Sequence, residues 1–155
     1  MNVLVTGANG LLGRELCVAL ASDHSVTALT HTPVLDPIPN VEYRTVDLST
    51  QLNIGQLPNS IDAVFHLAQS SRFREFPEGT TDTFHVNTRS TLDLLEYCRI
   101  AGGKQFFLAS TGGVYGGQSG PISEAGSLIP ASEIGFYFAS KLAAEMFSST
   151  YRQVF

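Results

Sequence analysis

The sequence predicts an α/β fold built on a doubly wound parallel sheet. Three observations predict it. Short runs rich in β-branched and aromatic residues alternate with longer connecting stretches, at 3–6, 25–30, 41–46, 63–67 and 105–110, the rhythm of parallel strands joined by crossovers. Most of these runs are apolar on successive residues, as in Val3-Leu4-Val5 and Phe106-Phe107-Leu108-Ala109, so their strands are expected to be buried on both faces. A glycine-rich turn, Thr6-Gly7-Ala8-Asn9-Gly10-Leu11-Leu12-Gly13, joins the first run directly to a helical stretch.

In chain order, the first helix is expected over 11–22, with Leu12, Leu16, Val18, Ala19 and Leu20 at helical spacing. The strands at 25–30, 41–46 and 63–67 follow. A long helix over 81–101 then carries Phe84, Thr88, Leu92, Leu95 and Cys98 along one stripe, and Gly102-Gly103 stops it. After the fifth strand, residues 112–135 are rich in Gly, Ser and Pro and lack any period, which reads as a long functional loop. A last helix covers 136–152. Right-handed crossovers give the strand order 3-2-1-4-5.

The 155 residues suit one domain, and 43% apolar with 15% charged residues suits a packed core. Fourteen acids against 9 bases give a net charge of −5, and Lys and Arg form no cluster of the kind phosphate backbones need, which argues against a nucleic-acid partner. No apolar run approaches the ~20 residues of a membrane span. The start, Met1-Asn2-Val3-Leu4-Val5-Thr6-Gly7, enters a strand without signal-peptide features, so a cytoplasmic location is expected. Cys17 and Cys98 read as buried thiols rather than a disulfide, and the four His residues lack metal-ligand spacing.

Placed between a strand and a helix, the glycine turn is a dinucleotide-binding signature of the Rossmann fold. Gly7 permits the tight turn, Gly10 lets backbone approach a pyrophosphate, and Gly13 lets the helix pack near the strand. The helix N-terminus then faces the anion. At the end of the second strand, Leu29-Thr30-His31-Thr32 contains neither the acid that selects NAD nor an Arg for a 2′-phosphate. Thr30, His31 and Thr32 offer hydrogen bonds to such a phosphate, with Arg14 expected in the same region, so the choice between NADP and NAD tips slightly to NADP.

Tyr137 and Lys141 stand four residues apart on one face of the last helix. Taken alone they read as a solvated helix face. An ammonium beside a phenol favours phenolate and lowers its pKa toward a value useful for proton transfer. Ser110-Thr111 ends the fifth strand, where a hydroxyl faces the cofactor crevice of a parallel sheet.

With these motifs the sequence resembles the extended short-chain dehydrogenase/reductase family, in its NAD-dependent epimerase/dehydratase group. The signs are Thr6-Gly7-x-x-Gly10-x-x-Gly13, Asp47-Leu48, His66-Leu67-Ala68, Asn87, Ser110-Thr111-Gly112-Gly113-Val114-Tyr115-Gly116 and Tyr137-x-x-x-Lys141. The resemblance implies that Leu11 and Leu12 lie over the pyrophosphate, that Asp47 and Leu48 contact adenine, and that Leu67, Ala68 and Gln69 line the cofactor. It implies that Asn87 supports the nicotinamide side, Thr111 is the catalytic hydroxyl, Tyr137 transfers the proton, and Lys141 binds the nicotinamide ribose. Departures are Ser90 where the family often has Gly, Gln69 in place of a small residue, and the missing acid near Thr30.

Family members normally run to about twice this length, with further strands and a C-terminal substrate domain. Residues 1–155 are therefore expected to be the cofactor domain alone, with its fifth strand as an open edge. Two functions follow. One is a nucleotide-sugar epimerase, dehydratase or reductase working by hydride transfer with Tyr137 as acid/base. The other is a non-catalytic dinucleotide-binding fragment or interaction module. The resemblance also implies a homodimer, formed by the 81–101 helix and the Tyr137 helix with Phe138, Leu142 and Phe147 at the contact.

Overall fold

The computed structural model describes residues 1–116, 120–130 and 134–155. Residues 117–119 and 131–133 of the expected 112–135 loop lie outside the described residues. The strands are β1 (Asn2–Thr6), β2 (Ser25–Thr30), β3 (Val41–Thr45), β4 (Ala63–His66) and β5 (Gln105–Leu108). They form one parallel sheet in the order β3-β2-β1-β4-β5, as expected. Thr6 is in register with Leu29 on one side and His66 on the other, so the three central strands end at one level. Strand order reverses at β1, and the glycine turn leaves from that point.

Alternation along the strands feeds two cores. Leu4, Leu29 and Val64 pack with Leu94, Tyr97 and Cys98 on one face. Val3, Val5, Val26, Ala28 and Ala63 pack with Cys17 on the other. The covering helices are α3 (Ser90–Ile100) and α1 (Leu11–Leu20) respectively. Cys17 and Cys98 are both free and buried, and burial pushes the Cys17 thiol up to about 11.

Four expectations need correction. In α1 the inward face is Gly13 and Cys17, flanked by Leu16 and Leu20, while Leu12 and Val18 are exposed. The small Gly13 lets the helix turn that side to the sheet, which a search for large apolar residues overlooks. The long helix is not continuous: α2 (Thr80–Phe84) passes through a π turn at His85–Arg89 before α3. Ser90 Oγ donates to Val86 O and Thr91 Oγ1 to Asn87 O, side-chain bonds that compete with regular helix geometry. The shift in phase buries Thr83 and Asn87 and leaves Phe84 exposed.

Strand β5 is not buried on both faces, since Phe107 is 45% exposed. Among the described residues it borders only β4, and Phe107 covers itself by stacking on Phe65 at 4.4 Å and 7°. The 112–135 stretch is not wholly irregular either. Thr111 caps a 3-10 turn at Gly112–Tyr115 by accepting from Gly113 N, and helix α4 begins at Phe136 and runs to Val154.

Candidate functional site

The carboxyl ends of β1, β2 and β4 surround a cleft of about 280 Å³. Gly7 turns there with φ 66°, and a Cβ on it would stand 2.8 Å from Ala68 N, so backbone closeness as well as dihedral requires glycine. A Cβ on Gly13 would strike the Gly7 carbonyl. Helix α1 opens with no side-chain cap, leaving its N-terminal N–H groups to other partners. Gly10, Thr30, His31, Asp47, Leu48, Leu67, Ala68 and Gln69 join Gly7 in the wall.

Other sequence-predicted residues stand apart from that wall. Leu11 and Leu12 are exposed at the start of α1, and neither lines the cleft. Asn87, Thr111, Tyr137 and Lys141 lie outside it too. Asn9, Ser49, Ser70, Ser71, Asp82 and Val86 complete the wall. Asn9 was legible as a member of the glycine turn, whereas Asp82 reaches the cleft only through the fold and carries no sequence signal.

The end of β2 differs from its sequence reading. Arg14 donates to Asp36 through Nη2 at 2.8 Å and to the Asp36 carbonyl at 3.0 Å, so it is not turned to a ligand at Thr30. A carboxylate also stands nearby, because Asp47 Oδ1 lies 3.8 Å from His31 Nδ1. Hydrogen bonds from Ser49 hold the Asp47 carboxyl below its ordinary pKa. Thr30 Oγ1 is buried without a hydrogen-bond partner among the described residues.

Behind the cleft, a buried chain of hydrogen bonds fixes the ends of β1 and β4. Ala68 N donates to Thr6 Oγ1 at 3.2 Å, and Thr6 Oγ1 lies 2.7 Å from His66 Nδ1. His66 Nε2 lies 3.2 Å from Ser90 Oγ, whose own hydrogen goes to Val86 O. These partners assign the proton to Nε2 and make Nδ1 the acceptor. Burial, followed by the Lys141 charge, pushes His66 down to about 3, so it is neutral and structural.

Helix α4 supplies the second half of the site. Tyr137 Oη donates to Gln69 Oε1 at 3.0 Å, and its ring packs on Phe73 at 4.8 Å and Phe138 at 5.5 Å. Burial raises the Tyr137 phenol, with a smaller opposing effect from the neighbouring Thr111 hydroxyl. This corrects the expected downward pull by Lys141. The Lys141 ammonium is only 2% exposed and donates to Ala109 O at 3.0 Å, and desolvation lowers it to about 8. Ser110 turns the other way and donates to Glu145. Asn87 bridges the halves, accepting from Ser70 N at 2.9 Å and donating to Ser140 Oγ at 3.0 Å.

Residues 3–155 match the model of the NAD dependent epimerase/dehydratase family. The chain belongs to this family. Its relatives include an uncharacterized UDP-glucose epimerase of Bacillus subtilis, 32% identical, with all of this chain and 53% of that protein covered. A GDP-6-deoxy-D-mannose reductase of Pseudomonas aeruginosa is 35% identical over 92% of this chain and 44% of its own. Among solved structures, the UDP-glucuronic acid 4-epimerase of Bacillus cereus in complex with UDP-glucuronic acid and NAD superposes with a TM-score of 0.83 at 27% identity, covering 99% of this chain and 52% of that one. The chain thus spans about half the length of the curated relatives it matches.

Set in the NAD dependent epimerase/dehydratase family, the cleft has the chemistry a dinucleotide requires. A glycine cradle that a Cβ would obstruct, an uncapped helix start and the unpartnered Thr30 hydroxyl converge on it. Among the described residues no group of three or more His, Cys, Asp or Glu gathers to hold a metal, and no helix is long and apolar enough to cross a membrane.

Proposed function

We propose that the chain binds NAD in the glycine cleft and acts on a nucleotide sugar as an epimerase, dehydratase or reductase, with Tyr137 as acid/base. The observation that carries the reading is a single contact: Gln69 lines the cleft and also accepts the hydrogen bond of Tyr137 Oη. Cofactor wall and proton-transfer group therefore meet at one side chain.

When bound, nicotinamide supplies the acceptor and donor of hydride for a sugar carbon. As phenolate, Tyr137 Oη takes the proton of the sugar hydroxyl as the carbon becomes a ketone, and as phenol it returns a proton on reduction. Thr111, whose hydroxyl lies beside the phenol, orients that oxygen and the substrate's. The Lys141 ammonium, held by Ala109 O, would offer its remaining hydrogens to the ribose of a bound NAD. Asn87 holds the loop after β4 against α4. The relatives named above supply the substrate class, a sugar linked to UDP or GDP.

NAD is preferred to NADP in this reading, reversing the slight lean of the sequence. Arg14 is committed to Asp36, and the Asp47 carboxylate beside His31 repels a 2′-phosphate. Two buried thiols suit the reducing cytoplasm. Met146 and Phe147 on α4 are exposed and suit a homodimer through that helix, which light scattering tests; a monomer contradicts it.

Turnover of UDP-glucose and UDP-glucuronic acid with NAD, compared with Tyr137→Phe, tests the function. Loss of roughly 10²–10⁴-fold with NAD binding retained is expected. Equal turnover by the variant overturns the acid/base role. NAD binding without turnover by either protein assigns the chain to the non-catalytic dinucleotide-binding module.

A further inference from the structure

Gln69 stands where the resemblance leads one to expect a small residue, and the structure gives its side chain a defined partner. Its backbone is fixed on both sides. Ala68 N donates to Thr6 Oγ1 and Ser70 N donates to Asn87 Oδ1. From Asn87 the contacts continue to Ser140 Oγ, which donates to the carbonyl of Tyr137 at 2.6 Å. The Tyr137 hydroxyl then returns to Gln69 Oε1. Gln69, Ser70, Asn87, Ser140 and Tyr137 thus make a closed ring, and Gln69 is the member that closes it on the cleft side.

Phe73 and Phe138 hold the Tyr137 ring, so the remaining freedom at the phenol is the direction of its O–H. An amide carbonyl is an acceptor that does not ionise, and a fixed acceptor determines where that hydrogen points. We propose that Gln69 is a positioning residue for Tyr137, aiming its hydroxyl at the cleft and favouring its protonated form, the form that returns a proton to the sugar oxygen. The proposal rests on the function read above.

The charged groups around the phenol are few among the described residues. On its own helix Lys141 is bound to Ala109 O. From the loop after β4, Arg74 lies over the far partner ring, 4.8 Å from the centre of Phe73. From α2, Asp82 is held by Ser70, the neighbour of Gln69. From the end of β5 the facing group is the uncharged Thr111 hydroxyl. A substituent at 69 therefore reports on the phenol against a constant background.

Titration of the chain labelled with ¹³C at tyrosine Cζ, with the Tyr137 resonance assigned from Tyr137→Phe, reads the proposal without cofactor or sugar. Accepting a hydrogen bond from a phenol favours its neutral form. Gln69→Ala should lower the Tyr137 midpoint by roughly 0.4–1 unit, the net worth of one hydrogen bond. Gln69→Glu keeps an acceptor and adds a negative charge, so it should raise the midpoint. Gln69 is exposed, and both variants should fold, with the other tyrosine resonances unmoved. Midpoints unchanged in both variants, or raised in Gln69→Ala, overturn the positioning role and leave the function standing. Unimpaired turnover by Tyr137→Phe overturns the function instead, and the proposal with it.

Discussion

His66 Nε2 donates to Ser90 Oγ at 3.2 Å in the buried layer between β4 and α3. This pair explains a departure from the family pattern, because Ser90 occupies a position where the family often has Gly. Its hydroxyl accepts from the imidazole and passes its own hydrogen to Val86 O inside the π turn. Both imidazole nitrogens are thereby satisfied in a site with no exposure.

Ser90→Ala leaves the Nε2 hydrogen of His66 buried without its acceptor. The expected loss of stability is about 1–3 kcal/mol, read as a lower midpoint in urea unfolding. An unchanged midpoint shows that the pair contributes nothing.

Acid should destabilise the fold through His66. The unfolded chain binds a proton at the ordinary histidine value of 6.5, whereas the buried ring resists it down to about 3. Between those values the unfolded state holds more protons, so stability falls as pH drops through the window. Replacing His66 with Gln should flatten the slope of unfolding free energy between pH 6.5 and 3. An equal slope in both proteins assigns acid lability elsewhere.

Freeing Arg14 should change cofactor choice. Asp36→Ala removes the carboxylate that holds Nη2 and should raise affinity for NADP several-fold with little change for NAD. Parallel calorimetric titrations check it. An unaltered ratio shows that Arg14 does not reach the 2′ position.

The parallel order of the sheet and the glycine turn were legible because each follows from local pattern. The departures arise where packing decides. Gly13 and Cys17 face inward in α1 because small side chains admit close approach, a signal that apolar periodicity does not carry. The π turn at His85–Arg89 depends on side-chain bonds from Ser90 and Thr91, neither of which marks a helix irregularity in sequence. Among the expected site residues, Tyr137 and Lys141 stand at a legible spacing and take their roles from the family resemblance, but their surroundings were not legible. Lys141 donates one hydrogen bond to Ala109 O, and Tyr137 meets Gln69 and Thr111, groups distant in the chain. The Asp47 carboxylate near His31 likewise comes from the neighbouring strand end.

Calorimetric titration of NAD into the chain, repeated on Gly10→Val and Gly112→Ala, tests the central claim most directly. A Cβ on Gly10 would stand 3.2 Å from Gly7 O on the cleft wall, whereas one on Gly112 meets nothing within 4 Å. The account predicts one NAD per chain, binding weakened at least tenfold by Gly10→Val, and binding unaltered by Gly112→Ala. Equal NAD affinity in Gly10→Val and the unsubstituted chain would contradict it.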